Sequence, residues 1–275
     1  MKSAFIFIFL IFSSPNVWAA LKSSEVLIDA QSAFMSGDLF NSYRYYTLAI
    51  DKTPDALDAK DVENFVIAEY ITMDLKDFLK ECKARASQGD LKVEFRFYCA
   101  KTLIHNEHYV EATDFIEDIP KSYQRLEYHL LKASLYLNLN KPQQCLDEME
   151  VASKKITAST SSHFQDLMKV TRARCYLAQS KYADALTLFQ TLSVNSDFYL
   201  TTLEEQAWTQ FKARNLTSSR EILKILISYF TSRSEKNQIF GADLYFRTRY
   251  LQAYIELISQ NREKARDMFG QLKLE

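Results

Sequence analysis

The chain has 275 residues, of which 47% are apolar and 25% are charged, a balance that is typical of globular rather than disordered proteins. Its 34 basic and 35 acidic residues give a net charge of −1, and no run of like charge occurs, so the composition argues against nucleic-acid binding. Only four glycines and four prolines are present. Because these residues punctuate strands and turns, their scarcity predicts an all-α fold with short polar connections.

The N-terminus has the three parts of a secretory signal peptide. Lys2 supplies a positive charge, residues 4–12 (AFIFIFLIF) form an apolar core, and residues 17–20 (VWAA) offer small side chains for cleavage. This core is too short for a membrane-spanning helix, which needs about 20 apolar residues. We therefore expect residues 1–19 to be removed. The mature protein, residues 20–275, should then be soluble, periplasmic or secreted, and without stable membrane insertion.

A pattern of small and large apolar residues recurs along the rest of the chain. In the stretch QSKYADALTLF (179–189), Ala185 follows the small residue Ala173 by 12 positions and is flanked by large apolar residues. The arrangement returns 34 positions later at Ala207, Leu216, Ser219, Leu223 and Leu226. Small pairs with the same spacing of 12 occur at Ala30 and Ser42, Ala100 and Ala112, Ala133 and Cys145, and Ala253 and Ala265. Ala68, by contrast, lacks a clear partner.

This spacing has a physical reason in helix packing. A small residue in the middle of one helix lets a second helix approach closely, and a small residue in the second helix does the same after a tight turn. The large residues around the second small position then form an apolar stripe with the period of a helix. One hairpin cannot cover its own apolar face, so the pattern predicts hairpins that stack on their neighbours.

The pattern resembles the tetratricopeptide repeat (TPR). The matching residues are Gly37, Asp38, Leu39, Ser42, Tyr46, Ala49 and Pro54 in the first unit, and Ala173, Tyr176, Tyr182, Ala185, Phe189 and Leu192 in the fifth. The tryptophan and Leu-Gly of the TPR consensus are mostly absent, and extra residues at 157–162 and 230–246 suggest lengthened helices or projecting loops. The resemblance implies a right-handed superhelical α-solenoid of about seven helix-turn-helix hairpins. Their approximate ranges are 23–56, 57–88, 92–122, 125–156, 163–197, 199–230 and 240–275.

The four cysteines have two interpretations. An even number in an exported chain favours disulfides. Residues at equal distances from a turn lie level on antiparallel helices, and this relation holds for Cys82 and Cys99 around residues 90–91 and for Cys145 and Cys175 around residue 160. We therefore predict the disulfides Cys82–Cys99 and Cys145–Cys175 between adjacent hairpins. Four buried free thiols are the alternative, because cysteine is often buried as a small apolar residue.

No motif for catalysis or cofactor binding is recognisable. The sequence contains no phosphate loop, no Gly-x-Gly-x-x-Gly and no Gly-x-Ser-x-Gly elbow. His105 and His108 are the only clustered ligand-type side chains, and a solvated turn explains them better than a metal site because no third or fourth ligand is evident. We therefore expect no enzymatic activity, no metal site and no cofactor.

The resemblance also places a binding surface. First helices of TPR hairpins line a concave groove, and residues one and four positions after each small residue should face it. In the C-terminal half this gives aromatic side chains interleaved with cations, a combination that anchors peptides well. The rule itself gives Arg174, Leu177, Trp208, Phe211, Tyr254 and Leu257; Tyr250 and Arg247 lie in the two turns before Tyr254, and Lys212 is next to Phe211. The candidates are Arg174, Trp208, Phe211, Lys212, Arg247, Tyr250 and Tyr254. The alternative is that these rings fill the core around the 230–246 insertion.

The resemblance therefore implies a non-enzymatic scaffold of the bacterial cell envelope that binds a protein or peptide partner in the groove. A second hypothesis is a binder of cell-wall glycan or another small ligand at the same aromatic groove. The last helix carries an apolar stripe of Ala265, Met268, Phe269 and Leu272. A terminal repeat needs a polar outer side, so this stripe predicts either packing on the previous hairpin or a homo-oligomer interface.

Overall fold

The computed structural model describes residues 23–52, 56–87, 91–232 and 238–272, and the predicted signal peptide lies outside them. Within these ranges the secondary structure consists of fourteen α-helices and one 3-10 helix, Lys121–Tyr123. The helices are α1 Ser23–Met35, α2 Leu39–Lys52, α3 Ala59–Thr72, α4 Leu75–Ser87, α5 Lys92–His105, α6 Tyr109–Ile116, α7 Leu126–Asn138, α8 Pro142–Ser153, α9 Ser162–Ala178, α10 Tyr182–Phe189, α11 Tyr199–Lys212, α12 Leu216–Ser232, α13 Gln238–Ile258 and α14 Arg262–Leu272.

The chain divides into two compact units, the first ending at Gln124 and the second beginning at Arg125. The first unit contains α1 to α6 and the second contains α7 to α14. Within each unit an odd-numbered helix packs against the even-numbered helix that follows it, and that helix packs in turn on the next odd-numbered one. The pair α3 and α4 is the exception, because α4 packs mainly against α5.

The paired small residues are the contact points inside the hairpins. Ala30, Ala100, Ala133, Ala173, Ala207 and Ala253, on the first helices, have no exposed surface. Their partners 12 positions later are also buried, and two of them are serines. Ser42 donates its hydroxyl to the carbonyl of Ala30 at 3.1 Å, and Ser219 donates to that of Ala207 at 2.8 Å. These bonds show that the helix axes approach closely where the sequence places its small residues.

Six turns share one backbone conformation in one register. A residue with φ between 55° and 80° lies seven positions after the small residue of the first helix, at Gly37, Glu107, Asn140, Ser180, Arg214 and Gln260. The next backbone N–H donates to a carbonyl five positions back at 2.8–3.0 Å, which is the hydrogen bond that closes a Schellman cap. The turn between α3 and α4 differs, because Met73 there is extended, with φ −114° and ψ 161°.

Overpacking one of the small positions is expected to destabilise the protein. Ala185 on α10 has no exposed surface and belongs to a core cluster with Val170, Ala173 and Phe189. Ala185→Leu should therefore lower the free energy of unfolding by about 1–3 kcal/mol, measured by urea denaturation. Ala183→Leu, on the exposed side of the same helix, is the matched control and should change it by less than about 0.5 kcal/mol. Equal effects of the two substitutions would contradict this packing.

The C-terminal part shows where the extra residues go. α12 continues to Ser232 and α13 begins at Gln238, so lengthened helices occupy most of the 230–246 segment. The apolar stripe of α14 is covered: Ala265, Met268 and Leu272 are buried, and α14 packs against α13. The stripe therefore packs within the chain, the first of the two expectations, and the homo-oligomer interface stays a prediction. Among the described residues, no helix is both long and apolar enough to span a membrane.

Candidate functional site

The structure brings four of the predicted site residues into one series of ring contacts. On α11, the rings of Trp208 and Phe211 meet edge to face, with centroids 5.7 Å apart. Phe211 reaches across to Tyr254 on α13 at 5.6 Å, and Tyr254 stacks on Tyr250 at 6.4 Å with the planes 8° apart. Tyr250 in turn contacts Phe269 of α14 at 5.7 Å. The aromatic residues therefore link three helices of the second unit.

These rings are neither wholly core nor wholly surface. Trp208 and Phe211 are partly buried and pack against a core cluster that includes Ala207, Leu223 and Leu251. Tyr250 is 43% exposed. The inner edges of the rings therefore complete the core, while part of Tyr250 remains accessible; the binding surface stays a prediction.

Two further exposed apolar residues lie beside Tyr250: Leu257, which the rule of four positions after Ala253 already gives, and Phe246, which sequence reasoning missed. Phe246 is 47% exposed and Leu257 is 43% exposed. Residues 4 and 11 positions apart fall on one side of a helix, so Phe246, Tyr250 and Leu257 form a single stripe along α13. We call these three residues, together with Trp208, Phe211 and Tyr254, the aromatic face. The spacing of 4 between Phe246 and Tyr250 was the signal that could have found Phe246.

Charged pairs border the aromatic face. Arg174 of α9 donates through Nε to both carboxylate oxygens of Glu205 on α11, each at 3.0 Å. Arg247 of α13 lies 3.5 Å from Glu204 of α11 and 3.3 Å from Asp243. Both predicted arginines are therefore engaged with carboxylates of their own chain. Lys212, the remaining predicted cation, is exposed at the end of α11.

Glu204 joins the charged pairs to the rings. The indole N–H of Trp208 donates to its carboxylate at 2.9 Å. Burial raises the pKa of Glu204 because it disfavours the ionised form, and the nearby Arg247 and the indole bond act in the opposite direction. This carboxylate therefore fixes the orientation of Trp208 and lies too deep to meet a ligand directly.

The candidate metal ligands belong to the first unit. His105 ends α5 and His108 precedes α6, so both belong to the turn between two helices, as predicted. His108 Nε2 lies 3.0 Å from the Tyr70 hydroxyl, a contact that connects this turn to α3. Within the described parts of the chain, no group of three His, Cys, Asp or Glu side chains is arranged to hold a metal ion.

The cysteines form two disulfides in the predicted pairing. Cys82 of α4 bonds to Cys99 of α5, with the Cα atoms 6.2 Å apart. Cys145 of α8 bonds to Cys175 of α9, with the Cα atoms 5.9 Å apart. Each bond joins the second helix of one hairpin to the first helix of the next, and each of the two units contains one of them.

A buried ion pair supports the exceptional α3–α4 hairpin. Glu69 of α3 has no exposed surface, and Arg85 of α4 donates to it at 2.9 Å. The guanidinium also lies over the ring of Phe65 at 4.7 Å. One carboxylate oxygen of Glu69 and Nε of Arg85 have no hydrogen-bond partner among the described residues. The Glu69–Arg85 ion pair and the Cys82–Cys99 disulfide therefore hold α4 in place. The turn between α3 and α4 lacks the Schellman cap of the other hairpins.

A second polar cluster connects α7 with α8. His129 Nδ1 lies 2.7 Å from one carboxylate oxygen of Glu148, and Lys132 donates to the other at 2.9 Å. His129 is buried, and Lys132 lies over the rings of Tyr128 and Tyr136. The cluster ties the two helices of a single hairpin, which is a structural role.

Comparison with solved structures identifies the architecture. The chain superposes on a tetratricopeptide repeat protein from Parabacteroides merdae with a TM-score of 0.64 at 13% identity, over 91% of this chain and 92% of the other. It also matches the nearly identical TPR-like repeats of a putative kinesin light chain from Podosopora anserina, with a TM-score of 0.51 at 13% identity, over 71% of this chain and 94% of the other. The chain has a TPR-like fold.

This result confirms the predicted all-α, TPR-like fold class. No protein-family model matches the chain, and no curated protein matches it in sequence. At 13% identity the TPR-like likeness concerns the fold alone. The function must therefore be argued from the surface of this chain.

Proposed function

We propose that this protein is a non-enzymatic interaction scaffold that binds a peptide segment of a protein partner on the aromatic face. The observation that carries the proposal is the stripe of Phe246, Tyr250 and Leu257, which leaves three large apolar side chains exposed side by side on α13. Scattered apolar residues are normal on a surface, whereas a contiguous apolar group beside half-buried aromatic rings is typical of interaction sites.

The charges around the aromatic face indicate what kind of segment fits. Arg174 and Arg247 are already paired with Glu205 and Glu204, so a ligand would have to break existing ion pairs to use them. The accessible surface is therefore mainly apolar and aromatic. We infer that the bound segment contributes apolar or aromatic side chains, and that its affinity depends only weakly on salt.

The proposed location is the bacterial cell envelope, after cleavage of the N-terminal signal. Disulfides form and persist in oxidising compartments such as the periplasm, and two disulfides support this placement. Envelope extracts are accordingly the source from which a partner should be captured. The glycan hypothesis predicts instead that cell-wall glycan is retained without a stoichiometric protein.

A substitution in the exposed stripe tests the site. Tyr250→Ser combined with Leu257→Ser should weaken partner capture by at least about tenfold, because exposed anchors are lost while the core is spared. The measurement is crosslinking and quantitative capture from envelope extracts, followed by affinity for the identified partner. Val194→Ser combined with Ile225→Ser, two exposed apolar residues elsewhere in the second unit, is the matched control and should leave capture unchanged.

Two results would contradict the proposal. Unchanged capture by the Tyr250 and Leu257 variant, with its thermal midpoint preserved, would move the partner site away from the aromatic face. Retention of cell-wall glycan by the wild-type protein, lost in this variant and without any protein partner, would favour the glycan hypothesis.

A further inference from the structure

A shallow depression that is open to solvent over most of its extent runs along α4 in the first unit. It is lined by two leucines and three lysines of one helix, Leu75, Lys76, Leu79, Lys80 and Lys83. We call it the α4 groove. It lies on a different helix and in a different unit from the aromatic face, so it does not depend on the function proposed above.

We propose that the α4 groove binds an acidic amphipathic peptide segment of a partner protein. In this arrangement aliphatic side chains of the peptide rest on the two leucines, and its carboxylates pair with the three lysines.

The first argument is the separation of charge around α4. At about 100° per residue, Lys76, Lys80 and Lys83 fall within a sector of about 60°. Asp77 and Glu81 lie together on another side of the helix. The leucines lie between the lysine sector and the buried residues of α4, which include Phe78 and Cys82. Three positive charges therefore lie beside a half-buried apolar strip.

The second argument is that the lysines are largely uncommitted. Lys83 lies 3.7 Å from Asp114 of α6, and both side chains are more than half exposed. An ion pair of this kind contributes about 0–1 kcal/mol and is easily exchanged. Lys76 and Lys80 are exposed, and neither has an ion pair within 4.0 Å among the described residues. The groove therefore offers positive charge to an incoming carboxylate.

The third argument separates a peptide from a membrane surface. Helices that bind membranes in the plane of the interface project large apolar side chains outward so that they enter the acyl region. Here Leu75 and Leu79 are half-buried while Lys76, Lys80 and Lys83 are exposed, so the apolar floor is recessed below the charges. A peptide side chain can reach this floor, whereas a flat bilayer would meet the lysines first.

The test uses fluorescence anisotropy with the purified protein. The probe is a labelled synthetic helical peptide with leucines at positions i, i+3 and i+4 and glutamates beside them. We expect binding that weakens with added salt and that falls by about tenfold or more in the Lys76→Glu, Lys80→Glu variant. A second probe, in which glutamine replaces each glutamate, should bind at least about tenfold more weakly to the wild-type protein.

The matched control is Lys121→Glu combined with Lys155→Glu, which makes the same change in net charge at two exposed sites outside the groove. This variant should bind the acidic probe within about twofold of the wild-type protein. Circular dichroism verifies that both variants are folded.

Four outcomes would overturn the proposal. Equal losses in the two variants would show a general effect of charge, and equal binding of the two probes would show that carboxylates are not recognised. Binding to phosphatidylglycerol vesicles without binding to the acidic peptide would assign the groove to a lipid surface. Self-association that is lost only in the Lys76 and Lys80 variant, again without peptide binding, would assign it to a second copy of the chain.

Discussion

Replacing Arg85 by methionine is expected to lower the free energy of unfolding by about 3–5 kcal/mol at about pH 8. The substitution leaves Glu69 buried without its compensating charge, and breaking a buried pair from one side is strongly destabilising. The contact of the guanidinium with the ring of Phe65 is lost as well. Urea denaturation followed by far-ultraviolet circular dichroism measures the change.

Two further variants make this result interpretable. Glu69→Leu combined with Arg85→Met removes both charges, and we expect it to recover most of the loss, since apolar residues of similar volume often replace a buried ion pair without cost. Lys224→Met breaks an exposed pair with Glu221 and should change stability by less than about 1 kcal/mol. If Arg85→Met costs no more than Lys224→Met, the pair at Glu69 is solvated and the prediction is wrong.

The pH profile is the second readout of the same pair. Burial raises the pKa of Glu69 to about 7, with Glu81 adding to the effect and Arg85 opposing it. Because the folded state then binds this proton more tightly than the unfolded state, the contribution of Glu69 to stability is largest below about pH 4.5 and falls as pH rises to about 7. Full ionisation should cost roughly 3 kcal/mol. Glu69→Gln should remove this part of the slope, and an unchanged profile would count against a buried carboxyl.

Removing a disulfide should have an effect of similar size. The Cys145–Cys175 bond closes a loop of 30 positions, and loop-closure entropy gives about 3.6 kcal/mol of stabilisation. Cys145→Ala combined with Cys175→Ala should therefore lower the free energy of unfolding by about 3–4 kcal/mol. The Cys82–Cys99 bond closes 17 positions and should contribute about 3 kcal/mol. Equilibrium unfolding with and without a reductant measures both.

Mass spectrometry of a non-reduced digest is the control for this prediction. It should show peptides that carry Cys82 linked to Cys99 and Cys145 linked to Cys175. In the double alanine variant of one pair, reductant should lower stability only through the remaining bond. Four free thiols in the oxidised wild-type protein would contradict both the pairing and the expected loss.

The hairpins could be predicted because the deciding contacts are local. Ala207 and Ser219 are 12 positions apart, and the tight turn between their helices places these two small residues opposite each other. The spacing in the sequence therefore predicts which residues meet in the hairpin. The disulfide pairing followed in the same way from antiparallel helices. The hairpin around Ala68 lacked the second small residue, and it is also the one in which α4 leaves α3 and packs on α5. A missing local signal thus corresponded to a real structural difference.

The buried pair and the limits of the aromatic face could not be predicted in this way. Glu69 and Arg85 lie 16 positions apart on different helices, and their residue types favour exposure, so only the tertiary fold reveals their burial. The spacing of Trp208, Phe211 and Tyr254 is equally suitable for core packing and for a binding surface. In the structure, Trp208 and Phe211 pack partly in the core. Tyr250 and Leu257 are each 43% exposed, so substituting them tests partner binding with less disturbance of the core.

The two disulfides also set a limit on how far the protein can be stretched. They close loops of 17 and 30 positions, and an extended chain covers about 3.4 Å per residue. While both bonds are oxidised, a pulling force therefore cannot extend the chain inside the two loops, which amounts to about 160 Å of contour length. Helices α11 to α14, which carry the aromatic face, lie outside both loops, so their whole contour length can be extended under load.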